Sequence, residues 1–102
     1  MLFSLLFSKV SPSEIEEHLL NHPGIAEAGV GKVPDERSGE LPKGYIVRKP
    51  GTSTTVDEIH EFLKERLAKH KQLVGGIVFV KELPKNLSGK LLRKELPNSP
   101  LE

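Results

Sequence analysis

The sequence predicts a small α+β domain, a three-stranded sheet packed with two main helices and closed by a short C-terminal helix. Three observations carry that prediction. Two segments begin with capping boxes and continue with an apolar stripe at helical spacing, near Ser11 and near Thr55. Three runs of branched and small apolar residues, at Ile25–Val33, Glu40–Arg48 and Ile77–Val80, are bounded by glycine and proline and suit strands. The order helix, strand, strand, helix, strand, short helix contains no internal repeat and fits one layered domain.

Ser11-Pro12-Ser13-Glu14 places an N-cap serine, proline at the first helical position and glutamate at the third, with Val10 and Ile15 set as a hydrophobic staple. Ile15, Leu19 and Leu20 give this first helix its apolar stripe. Pro23 ends it, because the residue before a proline is pushed out of helical geometry, so the helix is expected over Pro12–Asn21. The next two runs read as antiparallel strands joined by the loop Pro34-Asp35-Glu36-Arg37-Ser38-Gly39. Thr55-Val56-Asp57-Glu58 opens the second helix, expected over Val56–Lys69, with Val56, Ile59, Leu63 and Leu67 on one face. Ile77-Val78-Phe79-Val80 is continuously apolar, as in a strand buried on both faces. The layout is expected to bury one face of the sheet.

Composition narrows the function classes. A chain of 102 residues fits one domain that buries roughly 65% of its unfolded surface. With 15 Lys and Arg against 14 Asp and Glu, and 5% aromatic residues, it lacks the basic, aromatic surface of a nucleic-acid binder. Cysteine is absent, which excludes disulfides and thiolate chemistry. The opening Met1-Leu2-Phe3-Ser4-Leu5-Leu6-Phe7-Ser8 is apolar but has no basic start or cleavage site, and is too short to span a membrane. Residues 1–9 are expected to form a leader or truncated hinge, 10–96 the domain and 97–102 a tail. The final Pro100-Leu101-Glu102 is not the Ser-Lys-Leu peroxisomal address.

The most informative segment is Pro84-Lys85-Asn86-Leu87-Ser88-Gly89-Lys90-Leu91-Leu92-Arg93-Lys94-Glu95-Leu96. It delivers Lys90 on a Ser-Gly turn directly before the predicted short helix, which suits the presentation of one ammonium to a phosphate or a developing oxyanion. A phosphate-binding P-loop needs glycine five positions before the Gly-Lys pair and Ser or Thr after it; those places hold Pro84 and Leu91, so that motif is excluded. Of the other candidates, His18 and His22 share helical spacing but have no third metal ligand in view, and no metal site is expected. His60 and His70 are isolated, with no nucleophile for a triad. Lys64, Arg66, Lys69 and Lys71 gather around the end of the second helix, where cations complement the dipole. A contact from Lys69 and Lys71 to the phosphates of a nucleotide or coenzyme is the functional alternative.

Five blocks together, Val10-Ser11-Pro12-Ser13-Glu14-Ile15-Glu16, His22-Pro23-Gly24-Ile25, Gly39-Glu40-Leu41-Pro42, Gly75-Gly76-Ile77-Val78-Phe79-Val80 and the Lys90 segment, resemble the small C-terminal domain of the adenylate-forming superfamily. That superfamily comprises acyl-CoA synthetases, peptide-synthetase adenylation domains and firefly luciferases; the Gly75-Gly76 form of the third strand is closest to luciferase-like and 4-coumarate-CoA ligase-like members. The resemblance covers about Lys9 to Leu96. It implies a mobile lid that works on a large N-terminal domain binding ATP, Mg2+ and a carboxylic acid, with CoA as a possible acceptor. It maps the adenylation lysine onto Lys90, has Ser88 and Gly89 shape the loop, and has Leu91 and Leu92 seat it.

The family's hinge lysine and glycine fall on Ser4 and Phe7, which do not match, and the large domain is not in this chain. The chain is therefore expected to be part of an acid–thiol ligase, inactive alone, and intracellular in the cytoplasm or a peroxisome. The alternative is a non-catalytic binding or regulatory module, or a remnant, acting on a full-length relative.

Overall fold

The computed structural model describes residues 11–37, 39–68 and 71–102. The expected leader, the staple residue Val10, Lys69 and His70 lie outside them. The elements are α1 (Pro12–Leu19), β1 (Ile25–Asp35), β2 (Gly39–Arg48), α2 (Val56–Lys64), β3 (Ile77–Phe79) and a 3-10 helix (Arg93–Asn98).

Both helix starts follow from their caps. The Ser11 hydroxyl accepts from Glu14 N–H at 3.4 Å and the Thr55 hydroxyl from Glu58 N–H at 3.2 Å. Both helices end earlier than expected. In α1 the last carbonyls turn back to Asn21 N–H and His22 N–H ahead of Pro23. In α2 the Gln72 side-chain amide donates to the carbonyls of Leu63 and Leu67, each at 3.0 Å, so the chain turns after Lys64 and swings Leu67 into the core.

β1 and β2 form a long antiparallel pair from Ile25↔Arg48 to Asp35↔Gly39. The imperfect alternation in β1 has a cause: a register shift between Ile25 and Glu27, which puts Ile25, Ala28 and Val30 on one face and Glu27, Gly29 and Gly31 on the other. β1 also runs two residues past the expected Val33, through Pro34. It is an edge strand, where a proline forfeits no sheet hydrogen bond. β3 lies parallel to β2, with Gly44↔Ile77, Tyr45↔Val78 and Ile46↔Phe79, so α2 serves as the crossover of a β-α-β unit.

Both faces of the sheet are covered, where one was expected. α1 and α2 pack Ile15, Leu19, Ile59 and Leu63 onto Val30, Ile46 and Ile77. On the opposite face the chain after β3 lays Leu83 and Leu96 against Tyr45 and Val80, with Leu91 and Val78 at the margin. The strand β3 thus contributes alternate side chains to two cores, as its apolar run predicts.

The C-terminal helix is 3-10 and begins three residues after Lys90 rather than directly behind it. Leu92 offers no side-chain cap, and Pro97 has no N–H to extend an α-helix. Residues 97–102, read from sequence as a tail, lie along β3: Lys81 N–H donates to Pro100 C=O at 2.8 Å, Glu102 N–H to Phe79 C=O at 3.1 Å, and Glu102 pairs with Arg48.

Candidate functional site

Lys90 flanks the turn at the tip of a hairpin that leaves the second face of the sheet. Lys85 and Leu91 pair across it in antiparallel fashion, and Leu92 N–H donates to Pro84 C=O at 2.9 Å. The turn Leu87-Ser88-Gly89 is closed by Gly89 N–H to Asn86 C=O and Asn86 N–H to Lys90 C=O, each at 3.0 Å. Gly89 has φ +85°, the left-handed position in which three-residue hairpin loops commonly end and which glycine adopts without steric cost. The Asn86 side-chain oxygen accepts from Ser88 N–H at 3.0 Å, the Ser88 hydroxyl at 2.8 Å and Lys90 N–H at 2.9 Å.

The hairpin is fastened on its inner side and bare on its outer side. Leu91 packs on the second core, while Leu92 stays 38% exposed; of the two leucines expected to seat the loop, Leu91 does so. Lys85 pairs with Glu27 of β1. Arg93 pairs with Glu16 of α1 and donates to Val30 C=O at 2.8 Å, while Glu16 accepts from Val30 N–H at 2.7 Å. These groups satisfy both backbone polar atoms of Val30 on the outer edge of β1, a position that otherwise invites pairing with another strand. Lys90 itself is exposed, and its ammonium has no hydrogen-bond or ion-pair partner among the described residues. A free cation on a held loop can orient and neutralise an anion brought to it.

The structure brings together Ser88, Gly89 and Lys90 but not the basic stretch. Lys71 binds the Glu14 carboxylate at 2.8 and 3.1 Å, Lys64 binds Glu61 at 3.0 Å, and Arg66 lies over the Phe62 ring at 4.0 Å. Each described member of that stretch already has a partner within the fold. His22 accepts from Gly24 N–H at 2.9 Å, and no group of three or more metal-binding side chains occurs among the described residues. Sequence reasoning missed Asn86 and Arg93. Asn86 carried a local signal, since asparagine two residues before a serine in a glycine-containing loop readily accepts from the backbone ahead of it. The contact of Arg93 with Glu16 spans 77 positions and has no local signal. No helix among the described residues is long and apolar enough to cross a membrane.

Residues 14–90 match the family model of the AMP-binding enzyme C-terminal domain. The chain is 49% identical over 90 residues to a putative acyl-coenzyme A synthetase of Emericella nidulans, covering 86% of this chain and 16% of that protein. It is 45% identical over 83 residues to luciferin 4-monooxygenase of Luciola mingrelica, covering 81% and 15%. Among solved structures, o-succinylbenzoate CoA synthetase of Bacillus subtilis bound to a product analogue superposes with a TM-score of 0.84 at 36% identity, over 91% of this chain and 19% of that one. The same enzyme in complex with AMP gives 0.80 at 37% identity, over 88% and 18%. This chain therefore spans about a sixth of the length of these two curated relatives.

Proposed function

We propose, from the premise that this chain belongs to the AMP-binding enzyme C-terminal domain family, that it acts as the lid of an ATP-dependent carboxylate-adenylating ligase and supplies Lys90 to the reaction. The large domain would bind ATP and the carboxylic acid. Mg2+ would be held there too, beside the phosphates of ATP. The observation that carries the reading is the exposed Lys90 ammonium, without a partner among the described residues, on a hairpin whose other lysine, Lys85, is tied back to β1, while Arg93 just behind the hairpin is tied to α1.

In the reaction a carboxylate oxygen forms a bond to the α-phosphorus of ATP as the bond to the β-phosphate oxygen breaks. Pyrophosphate leaves with that electron pair. Negative charge gathers on oxygens between the acid and the phosphate, and an ammonium delivered there from a fixed hairpin stabilises the charge without further reorganisation. Lid closure also excludes water, which strengthens the interaction. The acyl-adenylate is then open to attack by a thiol such as CoA. Ser88 and Gly89 act on this chemistry only by shaping the turn.

The test is ATP–pyrophosphate exchange with a matching large domain supplied in trans. Lys90→Ala is expected to lower the exchange rate by at least about 10²-fold, the usual cost of removing one such electrostatic group, with the thermal midpoint of the domain unchanged. Equal rates for wild type and Lys90→Ala would remove Lys90 from the reaction. The isolated chain is expected to show no exchange.

A further inference from the structure

Asn86 touches Lys90 from both sides of the peptide backbone. Its side-chain oxygen accepts Lys90 N–H at 2.9 Å, and its own N–H donates to Lys90 C=O at 3.0 Å. The same side-chain oxygen holds the Ser88 N–H and hydroxyl, so the turn that precedes Lys90 is organised around one atom. These bonds are exposed, and exposed hydrogen bonds exchange with water at little net gain in stability. Their effect is therefore geometric. With the backbone of Lys90 pinned at N–H and C=O, the direction in which its stem leaves the hairpin is set before any partner arrives.

We propose that Asn86 is a positioning residue for Lys90, a preorganising clamp that fixes the stem of the lysine for the adenylation step; this rests on the reading of Lys90 above. The chemistry favours an amide at this position. A short side chain with a neutral carbonyl reaches the backbone donors. A carboxylate would reach them equally but would set a negative charge beside the ammonium that must stay free, while a threonine hydroxyl accepts more weakly. Preorganisation of this kind matters most for rate, because small misplacements of a reacting group cost orders of magnitude while ground-state binding survives.

The experiment is a double-mutant cycle in pyrophosphate exchange with the large domain in trans. Asn86→Ala is expected to lower kcat by about 10- to 100-fold with little change in KM for ATP, and Asn86→Thr to recover part of the loss. Added to Lys90→Ala, Asn86→Ala is expected to have almost no further effect, since it acts through the lysine already removed. In parallel, amide relaxation of the full chain is expected to show residues 87–90 loosening in Asn86→Ala while signals of the sheet stay in place.

A silent Asn86→Ala, in an assay where Lys90→Ala is severely impaired, would overturn the clamp and leave the lysine's role standing. Equal losses from Asn86→Ala with and without Lys90 would also overturn it, by showing that the side chain acts independently. A silent Lys90→Ala would remove both, and is told apart by that arm alone.

Discussion

On the helix side of the sheet Ile15, Leu19, Ile46, Ile59 and Leu63 are fully withdrawn from solvent. The other side is covered by Leu83, Leu96 and part of Leu91, which lie in a loop, a 3-10 helix and the foot of a hairpin. One layer is made of repeating elements locked by caps. The other is irregular chain held by a few apolar anchors and by Arg93 and Lys85 reaching across to Glu16 and Glu27. The difference separates two tasks: the helix layer stabilises the sheet, and the C-terminal layer uses the sheet as a platform from which Lys90 projects. Substitutions at the hairpin tip are therefore expected to leave the fold in place.

The contrast is tested most severely by truncating one leucine on each side. Leu63→Ala opens a cavity between α1, α2 and the sheet, where capped helices relax little, and is expected to cost about 4 kcal/mol of global stability in urea denaturation. Leu96→Ala opens a cavity under a short segment whose neighbour Leu91 is only partly buried and can close in, and is expected to cost about 2 kcal/mol. Limited proteolysis should then cut Leu96→Ala within residues 84–98 while the core remains resistant. Cleavage spread equally over both layers would show that the two faces fold and fail as one unit.

A smaller effect sharpens the same comparison from the sheet side. Leu96 approaches β1 closely because Gly29 and Gly31 carry no side chain; a Cβ on Gly29 would stand 3.0 Å from a Leu96 methyl. Gly29→Ala is therefore expected to destabilise by about 1 kcal/mol through overpacking. In a Leu96→Ala background the clash disappears and the same change should become neutral or stabilising, since alanine loses less backbone freedom than glycine in a strand. A cost that persists without Leu96 would place the strain elsewhere.

The two layers were unequally legible in the sequence for the same reason that they differ physically. The helices announce themselves through Ser11, Thr55 and apolar residues at regular spacing, and only their ends shifted, where Gln72 and the turn before Pro23 cap the last carbonyls. The second core has no period. Tyr45, Val80, Leu83 and Leu96 meet through topology, and the parallel pairing of β2 with β3 that brings them together is a long-range choice. Lys90 was legible as an exposed cation on a turn, because Ser88, Gly89 and the flanking residues determine that locally. Its freedom was not, because it depends on Lys85 and Arg93 finding Glu27 and Glu16 across the fold.

The smallest expected effect belongs to Tyr45, which lies beneath the C-terminal layer, with the Lys43 ammonium 5.3 Å from its ring centre. Burial raises the pKa of the phenol above its ordinary value of 10.0, because the anion would lose hydration. The folded chain therefore keeps the proton at a pH where the unfolded chain has released it. The stability linked to this group is fully present below pH 10.0 and is lost as pH rises through the folded value. Urea midpoints measured between about pH 8 and pH 11 should fall more steeply for wild type than for Tyr45→Phe, which keeps the ring and removes the ionisation. The helix layer has no part in this difference, so a Leu63→Ala protein should keep the same alkaline slope. A Leu96→Ala protein, with the covering segment loosened and the phenol closer to water, should show a shallower slope. Identical slopes in all four proteins would mean that the ring is hydrated despite the layer above it.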